Sequence, residues 1–235
     1  MAAERRRFFL ETDVPKHSLV IFDCDGVLVD SEPLAALAYV RAYAKNGLEI
    51  EAEVISHCVG MKQADIIAKI HQLTGQLLPD HASDDIWGET KALFTEQLAS
   101  TLDIAAFLSK LEAARCVASS SSVERINHSL EVTGLAHYFG PSIFSSSMVK
   151  NGKPAPDIFL YAADKMGFAP ERSVVIEDSR YGVQGAVAAG MTAIGYIGGG
   201  HTHDGHGPEL LAAGAAAVCR SWEEVAVALG ERGFI

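Results

Sequence analysis

The stretch from Leu19 to Asp30, L-V-I-F-D-C-D-G-V-L-V-D, constrains this chain most. Four consecutive apolar residues, Leu19 to Phe22, read as a short strand that is buried on both faces. Asp23 and Asp25 follow, one residue apart, and Gly26 comes next. If strand geometry persists for two more residues, the two carboxylates lean toward the same side. Gly26 then lets the chain leave through backbone angles that a side chain resists. Two carboxylates about 4 Å apart repel by about 4 kcal/mol at an effective dielectric of about 20, which invites a cation or a shared proton. Taken alone, Asp-x-Asp-Gly suits a plain turn after a strand equally well.

Three later stretches answer it: V-A-S-S-S-S (Val117 to Ser122), G-K-P-A-P-D (Gly152 to Asp157) and V-V-I-E-D-S (Val174 to Ser179). Two of them follow apolar, strand-like runs, and residues just past the strand ends of an open parallel sheet share one crevice. Hydroxyls, a lysine and two further carboxylates therefore converge on Asp23 and Asp25. In this set, order and spacing the chain resembles the haloacid dehalogenase-like (HAD) superfamily of phosphohydrolases. The match is closest to the β-phosphoglucomutases and the small sugar phosphate phosphatases, and it covers nearly everything after residue 18.

The rest of the pattern predicts an α/β fold. Ser31-Glu32-Pro33 suits a helix start, and apolar residues recur at helical spacing to Asn46-Gly47. Two further helical runs follow, over 50–75 with a break at Gly60, and around Ile86 to Leu98. No alternating strand is evident from 31 to 99. After that, helix and strand alternate: helices over Ile104 to Ala114, Val123 to Thr133, Pro156 to Met166, Gly182 to Ala189 and Trp222 to Leu229. Strands fall at Cys116 to Ser119, Ile143 to Ser145, Ser173 to Glu177, Thr192 to Tyr196 and Ala216 to Cys219. The expectation is a doubly wound parallel sheet, HAD-like with a Rossmann-type core, formed by 18–30 and 100–235. Residues 31–99 form a small all-helical cap domain, and 1–17 an N-terminal extension.

The resemblance assigns roles. Asp23 stands where the family carries the nucleophile that forms an aspartyl-phosphate. Asp25 matches the acid/base, which protonates the leaving oxygen and then deprotonates water; the superfamily's true dehalogenases lack this second Asp. Hard oxygen ligands without a Cys or His pattern suit Mg²⁺. By resemblance Asp23 and Asp178 bind it directly, Glu177 directly or through water, and Asp25 through its backbone carbonyl. Ser119 matches the group that hydrogen-bonds a phosphoryl oxygen, and Lys153 the lysine that bridges nucleophile and phosphate. Lys62, in Val59-Gly60-Met61-Lys62, is the cap's candidate for reaching the substrate. Ser120 to Ser122 suit caps equally well. The loop Gly198 to Gly207 carries His201, His203, His206 and Asp204; it could bind a transition metal, but its glycines favour a flexible surface loop.

A formal net charge of -11 argues against nucleic-acid or anionic-membrane partners. No run reaches transmembrane length, and Phe8 to Leu10 is too short for a secretory signal. The four cysteines are far apart, without a C-x-x-C pair, which suits buried thiols in a reducing cytoplasm. No obligatory protein partner is evident. The function expected is a Mg²⁺-dependent phosphatase of a small phosphorylated metabolite, a sugar or polyol phosphate. A mutase of the β-phosphoglucomutase kind is the alternative. Such mutases carry a histidine on the first cap helix and a lysine just before the cap-loop glycine, whereas this chain has the apolar stretch Pro33 to Ala38 and Val59. A phosphate-accepting receiver domain also joins acidic residues, Mg²⁺ and a lysine, but the insert of about 70 residues speaks against it.

Overall fold

The computed structural model describes residues 18–56 and 58–235; the expected extension at 1–17 lies outside them. Six strands form one parallel sheet: β1 (Leu19–Phe22), β2 (Ala114–Ser119), β3 (Ile143–Ser145), β4 (Ser173–Glu177), β5 (Thr192–Tyr196) and β6 (Ala217–Cys219). Their order across the sheet is β3-β2-β1-β4-β5-β6. β1 is central because it is apolar on both faces. Val20 and Phe22 join one hydrophobic cluster, and Leu19 and Ile21 join the cluster on the opposite face, as a period of two requires.

Helices cover both faces. α5 (Ile104–Lys110), α6 (Val123–Val132) and α10 (Trp222–Glu231) bury Ile104, Leu108, Ile126, Leu130, Trp222 and Leu229 against Val20 and Phe22. α7 (Asp157–Met166), α8 (Arg180–Ala188) and α9 (His206–Ala212) bury Ile158, Phe159, Val183 and Leu210 against Leu19 and Ile21.

Between β1 and β2 the chain builds α1 (Glu32–Lys45), α2 (Ala52–Ser56), α3 (Gln63–Thr74) and α4 (Ser83–Gln97). Pro33 in the first turn, Glu32 at the start and Lys45 at the end suit the helix polarity of α1. Tyr39, Tyr43, Ile55, Ile70 and Ile86 gather into a third cluster made only of this stretch. The end of α4 belongs elsewhere, since Phe94 and Leu98 pack with the sheet.

Most expected boundaries hold or shift by one or two residues, and two places differ by more. α5 stops at Lys110, not Ala114, and β2 starts at Ala114. The Arg115 guanidinium donates to the carbonyls of Leu108 and Leu111, closing the helix end from the next strand. α9 begins inside the glycine-rich loop that was expected to carry no element; Gly205, at φ +94°, turns the chain into it. All four cysteines are free and buried. Among the described residues, no helix is long and apolar enough to cross a membrane.

Candidate active site

The sheet order changes direction between β1 and β4, and their carboxyl ends open a crevice. The Asp23 backbone N–H donates to Ile176 O at 3.0 Å, so the ladder runs one residue past β1 and fixes Asp23 beside the end of β4. Gly26 then has φ +74°, and a Cβ there would lie 2.0 Å from Asp178 Oδ2. The turn is glycine because Asp178 occupies the space.

Asp23, Glu177 and Asp178 are buried and each offers an oxygen within 4.8 Å of the others, a group that could hold a metal ion. Asp23 Oδ1 and Asp178 Oδ2 are buried without a hydrogen bond, with Lys153 Nζ 3.1 Å and His201 Nε2 2.9 Å away, respectively. Burial pushes the Asp23 carboxyl well above the usual range, and Glu177, Asp178 and Asp25 add to this against the pull of Lys153. Such a cluster of hard oxygens fits a magnesium-like cation.

Glu177 is tied more firmly. Lys153 donates to Oε1 at 2.5 Å, and the Ser179 N–H and Oγ donate to Oε2 at 2.8 and 3.0 Å. Gly182 makes room for it, since a Cβ there would fall 1.8 Å from Oε1. Burial pushes the Glu177 carboxyl up despite Lys153. Lys153, with its side chain wholly buried, gains more from Asp23 and Glu177 than burial takes away, so its ammonium is held above the usual lysine range.

Asp25 stands apart. Its Oδ1 accepts from Ser31 Oγ at 2.8 Å and from Arg125 Nη2 at 2.6 Å. Its Oδ2 accepts from Ser121 Oγ at 2.6 Å and from Ser119 Oγ at 3.5 Å. Burial acts to raise this carboxyl, but Arg125, Ser121 and Ser31 outweigh it and hold it below the ordinary range.

The serine run divides its work. Ser119 faces Asp25 and also accepts from the Ser121 N–H at 3.1 Å. Ser120 Oγ donates to Gly60 O at 2.9 Å, joining the loop after β2 to the helical stretch. Ser121 holds Asp25, and Ser122 caps α6 by accepting from the Arg125 N–H. Lys62 does not reach Asp23. Its side chain lies on Gly152, where a Cβ would come 2.3 Å from Cε, and it lines a pocket with Ser120, Ser121, Ser122 and Arg125.

The histidine-rich loop is not a free surface loop. His201 sits on Asp178, and the buried His206 shares a 2.6 Å hydrogen bond with the Asp178 backbone carbonyl through Nε2. Burial lowers the His201 pKa, but the Asp178 carboxylate beside it outweighs this and raises it to about 9. Among the described residues the metal-competent group is carboxylate only, and the histidines do not join it. With Glu32, Tyr181 and Arg180, His201 and His203 line a cleft of about 530 Å³. A smaller chamber of about 40 Å³ lies over Asp23 and Asp25. Glu32 borders both, and burial followed by Asp25 and Asp178 raises its carboxyl to about 7.

Sequence reading missed Arg125, Ser31, Glu32, His201 and His206 as parts of the site. The available signal for Arg125 was its place at the third position of the helix that the serine run opens. The histidines had only their proximity in sequence to β5.

An aspartate directly after a central parallel strand, a second aspartate held off the buried carboxylates, and a lysine bridging two of them make one acidic crevice at the sheet's switch point. The haloacid dehalogenase-like hydrolase model matches residues 17–190, and the chain belongs to that family. Relatives include the 6-phosphogluconate phosphatase of Escherichia coli, 32% identical over 174 residues, 73% of this chain and 79% of the relative. The phosphorylated carbohydrates phosphatase of Thermotoga maritima is 31% identical over 210 residues, 87% of this chain and 94% of the relative. Among solved structures, a haloacid dehalogenase-like protein of Agrobacterium tumefaciens superposes with TM-score 0.79 at 34% identity, covering 92% of this chain and 99% of the other.

Proposed function

We propose that this chain is a cytoplasmic phosphatase of small phosphorylated sugars or polyols that works through an aspartyl-phosphate on Asp23. The observation that carries the reading is the separation of the two aspartates. Asp23 belongs to the buried carboxylate group, whereas the Asp25 side chain is held by Arg125 and serines. One carboxylate is thus placed to attack phosphorus and the other to move a proton.

In the first step an Asp23 oxygen bonds to phosphorus as the bond to the leaving oxygen breaks, and Asp25 gives that oxygen its proton. In the second step Asp25 takes a proton from water, whose oxygen displaces Asp23 and releases inorganic phosphate. Ser119 and Lys153 hold the phosphoryl oxygens. Asp23 and Asp178, with Glu177 directly or through water and the Asp25 backbone carbonyl, would hold Mg²⁺, which would offset phosphoryl charge.

The helical stretch 31–99 acts as a cap. The chamber over Asp23 has space for a few waters, so a sugar phosphate enters when the cap lifts. The cap also argues for hydrolysis over a mutase. Ala35 and Val59 line the chamber, an apolar wall where the mutases place a histidine and a lysine. Neither of these two side chains supplies the polar group that the mutases place there to keep water from the intermediate until a sugar hydroxyl arrives. The relatives that act on phosphorylated carbohydrates support the same substrate class, and the free cysteines suit a reducing compartment.

The test is phosphate release from a panel of sugar, sugar-acid and polyol phosphates with Mg²⁺. Rapid hydrolysis of at least one without a bisphosphate activator is expected. Faster formation of glucose 6-phosphate than of inorganic phosphate, from β-glucose 1-phosphate with a trace of glucose 1,6-bisphosphate, would establish the mutase instead.

A further inference from the structure

The carboxylates crowded at the ends of β1 and β4 have separate cations. Lys153 serves Asp23 and Glu177, His201 lies on Asp178, and Asp25 has Arg125 at 2.6 Å. The Arg125 guanidinium lies 5.1 Å from the Phe94 ring centroid, and Phe94 is a buried residue of α4. The guanidinium meets Asp25 through Nη2, and its buried Nε has no hydrogen-bond partner among the described residues. Arg125 lines the same chamber as Asp23 and Asp25. Ser31 and Arg125 hold the Oδ1 end of the Asp25 carboxyl and Ser121 the Oδ2 end. Of the three, Arg125 is the one anchored in turn, against Phe94.

We propose that Arg125 is a positioning residue for Asp25, and that the enzyme depends on it in proportion to how much the leaving oxygen needs a proton. The inference rests on the reading of Asp23 as nucleophile and Asp25 as acid/base. In the first step the P–O bond to the leaving group breaks, its electron pair stays on the leaving oxygen, and the Asp25 proton must arrive there. A sugar alkoxide does not depart without that proton. p-Nitrophenolate, the conjugate base of a far stronger acid, does. Misplacing Asp25 therefore penalises sugar phosphates and spares p-nitrophenyl phosphate, whereas loss of phosphate binding or of folded protein penalises both.

The experiment compares kcat/KM of wild type, R125Q, R125K and R125A on a hexose 6-phosphate, phenyl phosphate and p-nitrophenyl phosphate. This parameter reports the first chemical step, and a ratio between esters in one sample does not depend on the fraction folded. R125Q should lose about tenfold or more on the hexose phosphate and less than about threefold on p-nitrophenyl phosphate, with phenyl phosphate between them. R125K should recover part of the hexose phosphate rate, and added guanidinium ion should do so in R125A. An equal loss on all three esters, or no loss on the hexose phosphate, overturns the assignment. Turnover by wild type tests the phosphatase reading separately, so unchanged ratios on an active wild-type background reject the role of Arg125 alone.

Discussion

Replacing Lys153 with Met tests the charge arrangement most directly, because the side chain keeps its length and loses only its ammonium. Lys153 Nζ lies 3.1 Å from Asp23 and 2.5 Å from Glu177. At an effective dielectric of about 20 these contacts correspond to about 5 and about 7 kcal/mol of gross attraction. Most of that is offset by taking the ammonium and carboxylates out of water. What unfolding reports is the cost of leaving buried carboxylates without their partner, about 3–5 kcal/mol. The assay is urea unfolding in chelator and in Mg²⁺. In chelator the K153M midpoint should fall with an unchanged slope. Mg²⁺ should then restore more stability to K153M than to wild type, because the unpaired carboxylates attract it more strongly. At a hundred times Kd, binding to the native state alone contributes about 2.7 kcal/mol. Adding E177Q should return part of the loss, since one of the two orphaned charges is removed. A loss below about 1 kcal/mol in chelator, or an equal response of both proteins to Mg²⁺, would refute the argument.

D23N should lower turnover by about a thousandfold or more while the far-ultraviolet circular dichroism stays that of the wild type; activity within about tenfold removes Asp23 as nucleophile. Excess chelator should silence the enzyme and Mg²⁺ restore it, whereas Ca²⁺ should inhibit through its longer bonds and higher coordination number; full activity in chelator defeats the metal assignment. G60A places a Cβ at φ +82° and 2.5 Å from Ser179 Oγ, so the cap loop must shift; KM for a sugar phosphate should rise several-fold, and an unchanged KM shows that the loop does not meet the substrate.

Much of the fold was legible because the strands are short apolar runs with acidic or hydroxyl residues at their ends. Phe22-Asp23, Ala118-Ser119 and Glu177-Asp178 each mark where a strand stops and the crevice begins. Arg125 was not legible. A charged residue in the first turn of a helix reads as solvated, and only the fold brings it to Asp25 from a hundred positions away. The loop 198–207 failed for the opposite reason. Its glycines report backbone freedom but not what the backbone lies against. Here a Cβ at Gly199 would meet Gly26 O at 3.0 Å, and one at Gly200 would meet Asp30 at 2.7 Å. Those glycines permit close approach to the loop after β1, and so carry His201 to Asp178. For Lys62, the place in the loop after Gly60 was readable, but its resting contact with Gly152 was not.

Three contacts between the stretch 31–99 and the core lie at the chemistry, beside an exposed set between α4 and α6 in which Lys91 meets Glu124 and Thr95 meets His128. Ser120 bonds the cap loop at Gly60, Lys62 lies on Gly152 next to Lys153, and Phe94 of α4 supports Arg125 on Asp25. Each link joins a residue between β1 and β2 to a residue of the core at or next to the site. Movement at Gly60 would break the Ser120 hydrogen bond, and a shift of α4 at Phe94 would loosen the cation on Asp25. Phe94, however, packs with the sheet and not with the cap's own cluster. On the proposed reading of 31–99 as a cap, the end of α4 would stay with the core as the cap lifts. Asp25 would then keep its cation, and closure would have to bring only the substrate's leaving oxygen to a carboxyl already in place.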